Sequence, residues 1–238
     1  MRAMLLAAGR GERMRPLTDV HPKPLLMAGG KPLIVWHLEK LAAAGFREVV
    51  INHAWLGEQL PATLGDGSRF GLRLHYSPES GDALETAGGI VQALPMLRTP
   101  DAPDAPFAVI SSDVWSDADY ARLPAIARQL RAADALCWCL MVPNPGHHRQ
   151  GDFLLEGERL ALREVPPGGL PALTYTGIGV YTAALFDGLR AGTRSPLRPW
   201  LEAAIRAGRA LGHYHRGLWF DIGTPQRLAE LDRRLRDS

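Results

Sequence analysis

The chain has 238 residues, 27 basic and 25 acidic side chains, a formal charge of +2, two cysteines and 46% apolar residues. This is globular composition, long enough for a real core in one or two domains, and it excludes a disordered, fibrous or disulfide-framework protein. So even a charge balance argues against a nucleic-acid coat or a membrane-surface helix, and no apolar run reaches the roughly 18 residues that span a bilayer.

The opening Met1 to Gly9 is too short an apolar stretch for a signal peptide and runs into Arg10 and Arg13, so a cytoplasmic protein is expected. Ala3 to Ala7 reads as a buried strand that ends in glycines. Pro32 to Ala44 reads as a helix, with proline in its first turn and Gly45 past its end. Glu48 to Ile51 is strand-like through its β-branched residues, and Trp55 to Leu64 is helix-like despite Pro61. Strands over Leu72–Tyr76, Phe107–Ile110 and Ala135–Val142 alternate with helices over Leu84–Leu97 and Asp119–Ala132. That alternation predicts βαβ units and a parallel sheet. After about residue 150 the pattern changes to strands over Phe153–Leu155, Leu160–Arg163 and Leu173–Tyr181, broken by Pro166-Pro167-Gly168-Gly169. Helices follow near Pro199–Ala207 and Pro225–Leu235. One domain is expected over 1–238, with a nucleotide half to about 142 and a mixed half from about 143.

Cys137 and Cys139 would share one side of a strand, a poor disulfide geometry, and read as buried thiols in a reducing compartment. Trp36, Trp55, Trp138 and Trp200 read as core or groove packing. Lysine occurs only at 23, 31 and 40; the scattered arginines read as solvated surface.

The most informative segment is Leu5-Leu6-Ala7-Ala8-Gly9-Arg10-Gly11-Glu12-Arg13-Met14-Arg15-Pro16-Leu17-Thr18, directly after the first strand. A glycine turn at the carboxyl end of a parallel strand lets backbone N–H groups approach phosphate oxygens. Gly9 and Gly11 lack the third glycine of a dinucleotide fingerprint, because Met14 stands there, and no Gly-Lys-Ser/Thr follows for a P-loop. Two glycines alone are also compatible with an ordinary turn. Arg13 and Arg15 add donors suited to a polyphosphate, and Pro22-Lys23-Pro24-Leu25 fixes a lysine between two stiff residues.

Together these two motifs resemble the signature of the sugar-1-phosphate nucleotidyltransferases. The likeness runs through nearly the whole chain, including Ile51-Asn52-His53-Ala54-Trp55-Leu56, Leu64-Gly65-Asp66-Gly67-Ser68-Arg69-Phe70-Gly71, Asn144-Pro145-Gly146-His147-His148 and Trp219-Phe220-Asp221-Ile222-Gly223-Thr224. It implies an α/β fold: a Rossmann-like, three-layer, mainly parallel mixed sheet of the nucleotidyltransferase (GT-A-like) type. The implied reaction joins a sugar 1-phosphate to the α-phosphorus of a nucleoside triphosphate, UTP by the nearest motifs, with pyrophosphate leaving. Glucose- and mannose-1-phosphate transferases are alternative readings, as is a nucleotide-binding regulatory subunit without turnover.

The resemblance implies catalytic roles for Arg13, Lys23 and Asp113. It places the nucleotide on Ala8, Gly9, Gly11, Glu12, Arg13, Lys23, Glu79, Thr86, Gly88 and Ser111, with Glu79 accepting from uracil N3–H. It assigns Mg²⁺ to Asp113 and Asp221, two aspartates in suitable places at strand ends that spacing alone leaves open as helix-cap or turn residues. It places the sugar on Asn144, Gly151, Asp152, Glu164 and Thr176, with His147 and His148 as candidate donors. Two positions depart from the family: Ser111-Ser112-Asp113 stands where many relatives have Asn-Gly-Asp, and Val165 replaces the lysine that clamps the sugar phosphate.

Overall fold

The computed structural model describes residues 1–79, 83–99, 101–163 and 172–237. Glu164, Val165 and the Pro-Pro-Gly-Gly break expected near 166–169 lie outside them. In chain order the strands are β1 (Ala3–Leu6), β2 (Met27–Ala28), β3 (Lys31–Pro32), β4 (Glu48–His53), β5 (Arg73–Pro78), β6 (Phe107–Ser111), β7 (Val114–Ser116), β8 (Cys137–Val142), β9 (Leu154–Glu156), β10 (Arg159–Ala161), β11 (Thr174–Tyr181), β12 (Ala210–Tyr214) and β13 (Trp219–Asp221). The helices are α1 (Leu33–Ala43), α2 (Gln59–Leu64), α3 (Glu85–Leu97), α4 (Leu123–Ala132), α5 (Arg198–Arg206) and α6 (Pro225–Arg236).

Nine of the described strands form one sheet in the order β5-β4-β1-β6-β11-β8-β12-β10-β9. β5, β4, β1 and β6 are mutually parallel. The apolar runs of β1, β4 and β6 are buried on both faces, as parallel strands between helix layers require, while β5 is a half-exposed edge. β11 runs antiparallel to both of its neighbours, β6 and β8, so a strand from beyond residue 142 sits in the middle of the sheet. One core cluster packs α1, α2 and α4 residues on one face, and a second packs α3 and α5 residues on the other.

Three helices end on the same device. After α1, Phe46 N–H donates to Leu41 and Gly45 N–H to Ala42; after α4, Ala135 donates to Leu130 and Asp134 to Arg131; after α5, Arg209 donates to Ala204 and Gly208 to Ile205. The residues at the turn, Gly45, Asp134 and Gly208, have φ of 84°, 49° and 68°. This is a Schellman cap, which satisfies terminal carbonyls and turns the chain into the next strand.

Some expected boundaries shift. The helix expected over Trp55–Leu64 is confined to Gln59–Leu64, because Leu56 takes φ 50° and Gly57 presses onto the His53 ring. Trp55 is not core: it is 37% exposed, with the Arg10 guanidinium 4.5 Å from its ring centroid. β12 was not legible, since Ala-Leu-Gly-His-Tyr has little β-branched character; Gly212 lets Leu160 lie against it. Cys137 and Cys139 are free and buried on β8.

His37 on α1 ties this layer to the functional edge. Its ring is 2% exposed, with Nδ1 2.8 Å from the Tyr120 hydroxyl and Nε2 2.8 Å from the Val114 carbonyl. Burial pushes its pKa down to about 4, helped by Lys40 and opposed by the Val114 hydrogen bond. The unfolded chain binds this proton near pH 6.5 and the folded chain does not, so stability is full above pH 6.5 and falls as pH drops toward 4. Chemical denaturation across that window is expected to show a loss of roughly 3 kcal/mol from this group. The slope should flatten in His37→Gln.

Candidate active site

The carboxyl ends of β1, β4, β5 and β6 converge on one edge, where α/β sheets bind ligands. A cavity of about 290 Å³ opens there, lined by Ala7, Ala8, Gly9, Lys23, Asn52, Glu79, Thr86, Ser111 and Asp113 among others. A second, also about 290 Å³, shares Leu6, Thr86 and Ser111 with it and reaches Asp152, Tyr175 and Arg198. A third, about 420 Å³, shares Ser111, Asp152 and Tyr175 with the second and adds Arg13, His147, His148, Thr176, Gly177 and Asp221. The three form one continuous groove with Ser111 common to all.

The glycine loop is held from below. Met14 is fully buried with Leu228, Leu231 and Ile222, so the residue that replaces a third glycine anchors the loop on α6. Thr18 donates its hydroxyl to the Gly11 carbonyl at 2.8 Å. Ala8 and Gly9 line the first cavity and Arg13 the third. Gly11 and Glu12, expected at the nucleotide, line none of these three cavities: Gly11 packs on Thr18 and Lys23, and Glu12 is exposed on a short 3-10 turn.

Asn52, not singled out from the sequence as a site residue, organises the Glu79 wall of the first cavity. Its carbonyl oxygen accepts the Ala7 N–H at 2.9 Å and its amide donates to Glu79 Oε1 at 2.6 Å. Glu79 Oε2 accepts the Leu84 N–H at 2.7 Å. Both Glu79 oxygens are therefore already engaged by the protein, which fixes the carboxylate at the cavity wall. Gly89 permits this network, for a Cβ there would stand 2.5 Å from Glu79 Oε1. Gly88, expected at the nucleotide, lies against the backbone of Thr193 and Ser195.

Lys23 is 7% exposed and donates to Asp113 Oδ2 at 2.6 Å. Asp113 directly precedes β7, and β7 pairs antiparallel with β13 so that Asp221 stands opposite Val114. The Ile222 N–H donates to the Asp113 carbonyl at 2.9 Å. The two aspartates are thus neighbours across one short ladder. Asp221 Oδ2 accepts from Arg227 Nη1 at 2.5 Å and lies 3.0 Å from His147 Nε2. Two neighbouring carboxylates offer hard oxygen donors that suit Mg²⁺, with phosphate oxygens and water completing its shell. Among the described residues no group of three or more His, Cys, Asp or Glu gathers into a complete protein cage. The residues therefore fit a metal shared with substrate.

At the second and third cavities, Asp152 Oδ2 accepts the Tyr175 N–H at 2.9 Å, and Oδ1 faces His148 at 3.2 Å and Arg198 at 3.4 Å. Thr176 reaches the groove, but its buried hydroxyl donates to Leu140 and accepts from Ile178. Gly177, at φ 79°, rests on Ser111 where a Cβ would be 2.7 Å from its hydroxyl. Asn144 and Gly151, expected at the sugar, are framework. The Asn144 amide donates to Arg149 and Ala172 carbonyls and its oxygen accepts from Thr174, and Gly151 packs on Asn144 and Ala172. Arg227 was hidden among arginines read as surface; the available signal was its place six residues after Asp221, one turn into a helix.

The nucleotidyl transferase family profile matches residues 2–238. The chain belongs to this family. An N-acetylmuramate alpha-1-phosphate uridylyltransferase of Neisseria meningitidis serogroup B is 49% identical, over 97% of this chain and 96% of that protein. One of the same name from Caulobacter vibrioides is 33% identical over 99% and 97%. In fold, a putative glucose-1-phosphate thymidylyltransferase of Bacillus anthracis superimposes with a TM-score of 0.84 at 21% identity, covering 100% of this chain and 96% of that one. This transferase chain therefore has the mostly parallel mixed sheet expected from its sequence.

Asn52→Ala tests the Asn52–Glu79 network. It leaves the Ala7 N–H and a Glu79 oxygen buried without partners, at a cost of about 1–3 kcal/mol. A fall in melting temperature of roughly 2–4 °C per kcal/mol is expected by scanning calorimetry.

Proposed function

We propose that the chain transfers UMP from UTP to N-acetylmuramate α-1-phosphate, giving UDP-N-acetylmuramate and pyrophosphate, with Mg²⁺, in the cytoplasm and in peptidoglycan recycling. The observation that carries this reading is the Lys23–Asp113 pair at the first cavity, with Asp221, the ladder neighbour of Asp113, at the third. The nearly full-length likeness to the two uridylyltransferases supports the choice of nucleotide and sugar.

A phosphate oxygen of the sugar 1-phosphate attacks the α-phosphorus of UTP, a P–O bond forms there, and the bond from α-phosphorus to the bridging oxygen breaks. Both reactants are anions, so the task is alignment and neutralisation rather than covalent catalysis by the protein. A divalent cation held by Asp113 and Asp221 would neutralise charge on the triphosphate. The Ala8–Gly9 backbone approaches the phosphates, and Arg13 stands at the third cavity, where charge accumulates. An ammonium has three N–H donors; Asp113 takes one from Lys23, and phosphate oxygens can take others. Glu79, held by Asn52 and Leu84, presents a fixed acceptor to the base.

Incubation with each of four nucleoside triphosphates, Mg²⁺ and a panel of sugar 1-phosphates, followed by pyrophosphate release, tests the reading. UTP with N-acetylmuramate α-1-phosphate should be turned over fastest; a preference for glucose or mannose 1-phosphate would replace the assignment. Lys23→Ala should lower kcat by about 10²-fold or more while the protein stays folded. Asp221→Asn should abolish metal-dependent turnover, and a near-normal rate would remove Asp221 from the metal site.

A further inference from the structure

Asp221 already has a cation on it. Its side chain is 25% exposed and that of Arg227 is 19%, so the pair is largely withdrawn from water, where an unpaired carboxylate is costly. Asp221 Oδ2 is also crowded. His147 Nε2 lies 3.0 Å from it and 2.7 Å from Arg227 Nη1. One imidazole nitrogen cannot donate to the carboxylate and accept from the guanidinium at once, so one of these contacts is not a hydrogen bond. The arrangement neutralises Asp221 without settling all three groups.

We propose that Arg227 is an exchangeable counter-ion: it holds Asp221 until that carboxylate takes up a divalent cation, and then binds the phosphate of the sugar substrate. The proposal rests on the transferase reading above. Arg227 on Oδ2 offsets the negative charge that draws a divalent cation to Asp221, so guanidinium and metal compete for the carboxylate. Loading the site favours release of Arg227. The side chain is rooted in the first turn of α6, where the Thr224 hydroxyl caps the helix, and it borders the 420 Å³ cavity through Asp221 and His147. The anion that enters this end of the groove is a phosphate monoester, whose oxygens match the planar donor fork of arginine. Of the other cations along the groove, Lys23 pairs with Asp113 and Arg198 with Asp152 and Glu202, while Arg13 reaches the same 420 Å³ cavity from the glycine loop. Arg227, like Lys23, pairs with a carboxylate that the metal would claim, and it is the one of the two that stands beside His147 at the 420 Å³ cavity.

The test measures two quantities on the wild type, Arg227→Ala and Arg227→Lys, each checked for folding by thermal melt. Mn²⁺ binding is titrated by electron paramagnetic resonance with no substrate present. Removal of the competing guanidinium should tighten Mn²⁺ severalfold in Arg227→Ala. Steady-state kinetics of the same variant should show KM for the sugar 1-phosphate raised about ten- to hundredfold, with KM for UTP within about twofold. Arg227→Lys, which keeps the charge and loses the fork, should fall between. A purely structural brace for Asp221 gives the opposite metal result, so weaker or unchanged Mn²⁺ binding in Arg227→Ala overturns the exchange. An unmoved sugar-phosphate KM overturns the second half. If the wild type turns over no sugar 1-phosphate, the transferase reading fails by itself, and the Mn²⁺ titration still decides whether Arg227 competes for Asp221.

Discussion

Negative charge gathered for a polyanionic substrate is the constraint on which this molecule is arranged. Asp113 and Asp221 stand side by side across the β7–β13 ladder, in a groove suited to a triphosphate and a sugar phosphate. Left bare, the two carboxylates would repel each other and any incoming phosphate. The chain answers with one cation per carboxylate, Lys23 for Asp113 and Arg227 for Asp221. Neither cation comes from the strand that bears its partner. Lys23 arrives from the segment after the glycine loop and Arg227 from α6, so the electrostatic balance ties together parts of the chain far apart in sequence.

That balance is held on a stiff frame. The ladder carrying both aspartates is only three residues long on each side, yet it is clamped from two directions. His37 grips the Val114 carbonyl from α1, and the Trp219 indole donates to the Thr176 carbonyl on β11. At the first cavity, Asn52 fastens β4 to the first loop and to Glu79 with two hydrogen bonds. The groove is bordered by side chains whose own polar groups are largely engaged, so geometry there follows from the sheet.

Elements with strong local signals were legible in sequence: β1, the helix after Pro32, the β-branched β4 and the proline-started α6 lie where periodicity and caps put them. Lys23 and Asp113 were recognisable through their motifs, and the structure joins them. What stayed hidden depends on partners distant in sequence. β12 is a strand because β8 and β10 flank it, whatever its propensity. Asn144 and Thr176 look like ligand groups by type, but their hydrogen-bonding capacity is spent on neighbouring backbone and Thr174. Gly88 looks like a ligand contact until the Thr193 carbonyl is found against it. Residue type announces what a side chain can bond to; only the fold says whether that bond is still available.

The anchoring of Met14 has a consequence for how the protein is made. The loop near the start of the chain is seated on Leu228 and Leu231, and the Gly29 N–H donates to Asp232 on the same helix. During synthesis these early residues leave the ribosome long before their support does. The glycine loop therefore has no floor until residues 225–236 have emerged and α6 closes beneath it.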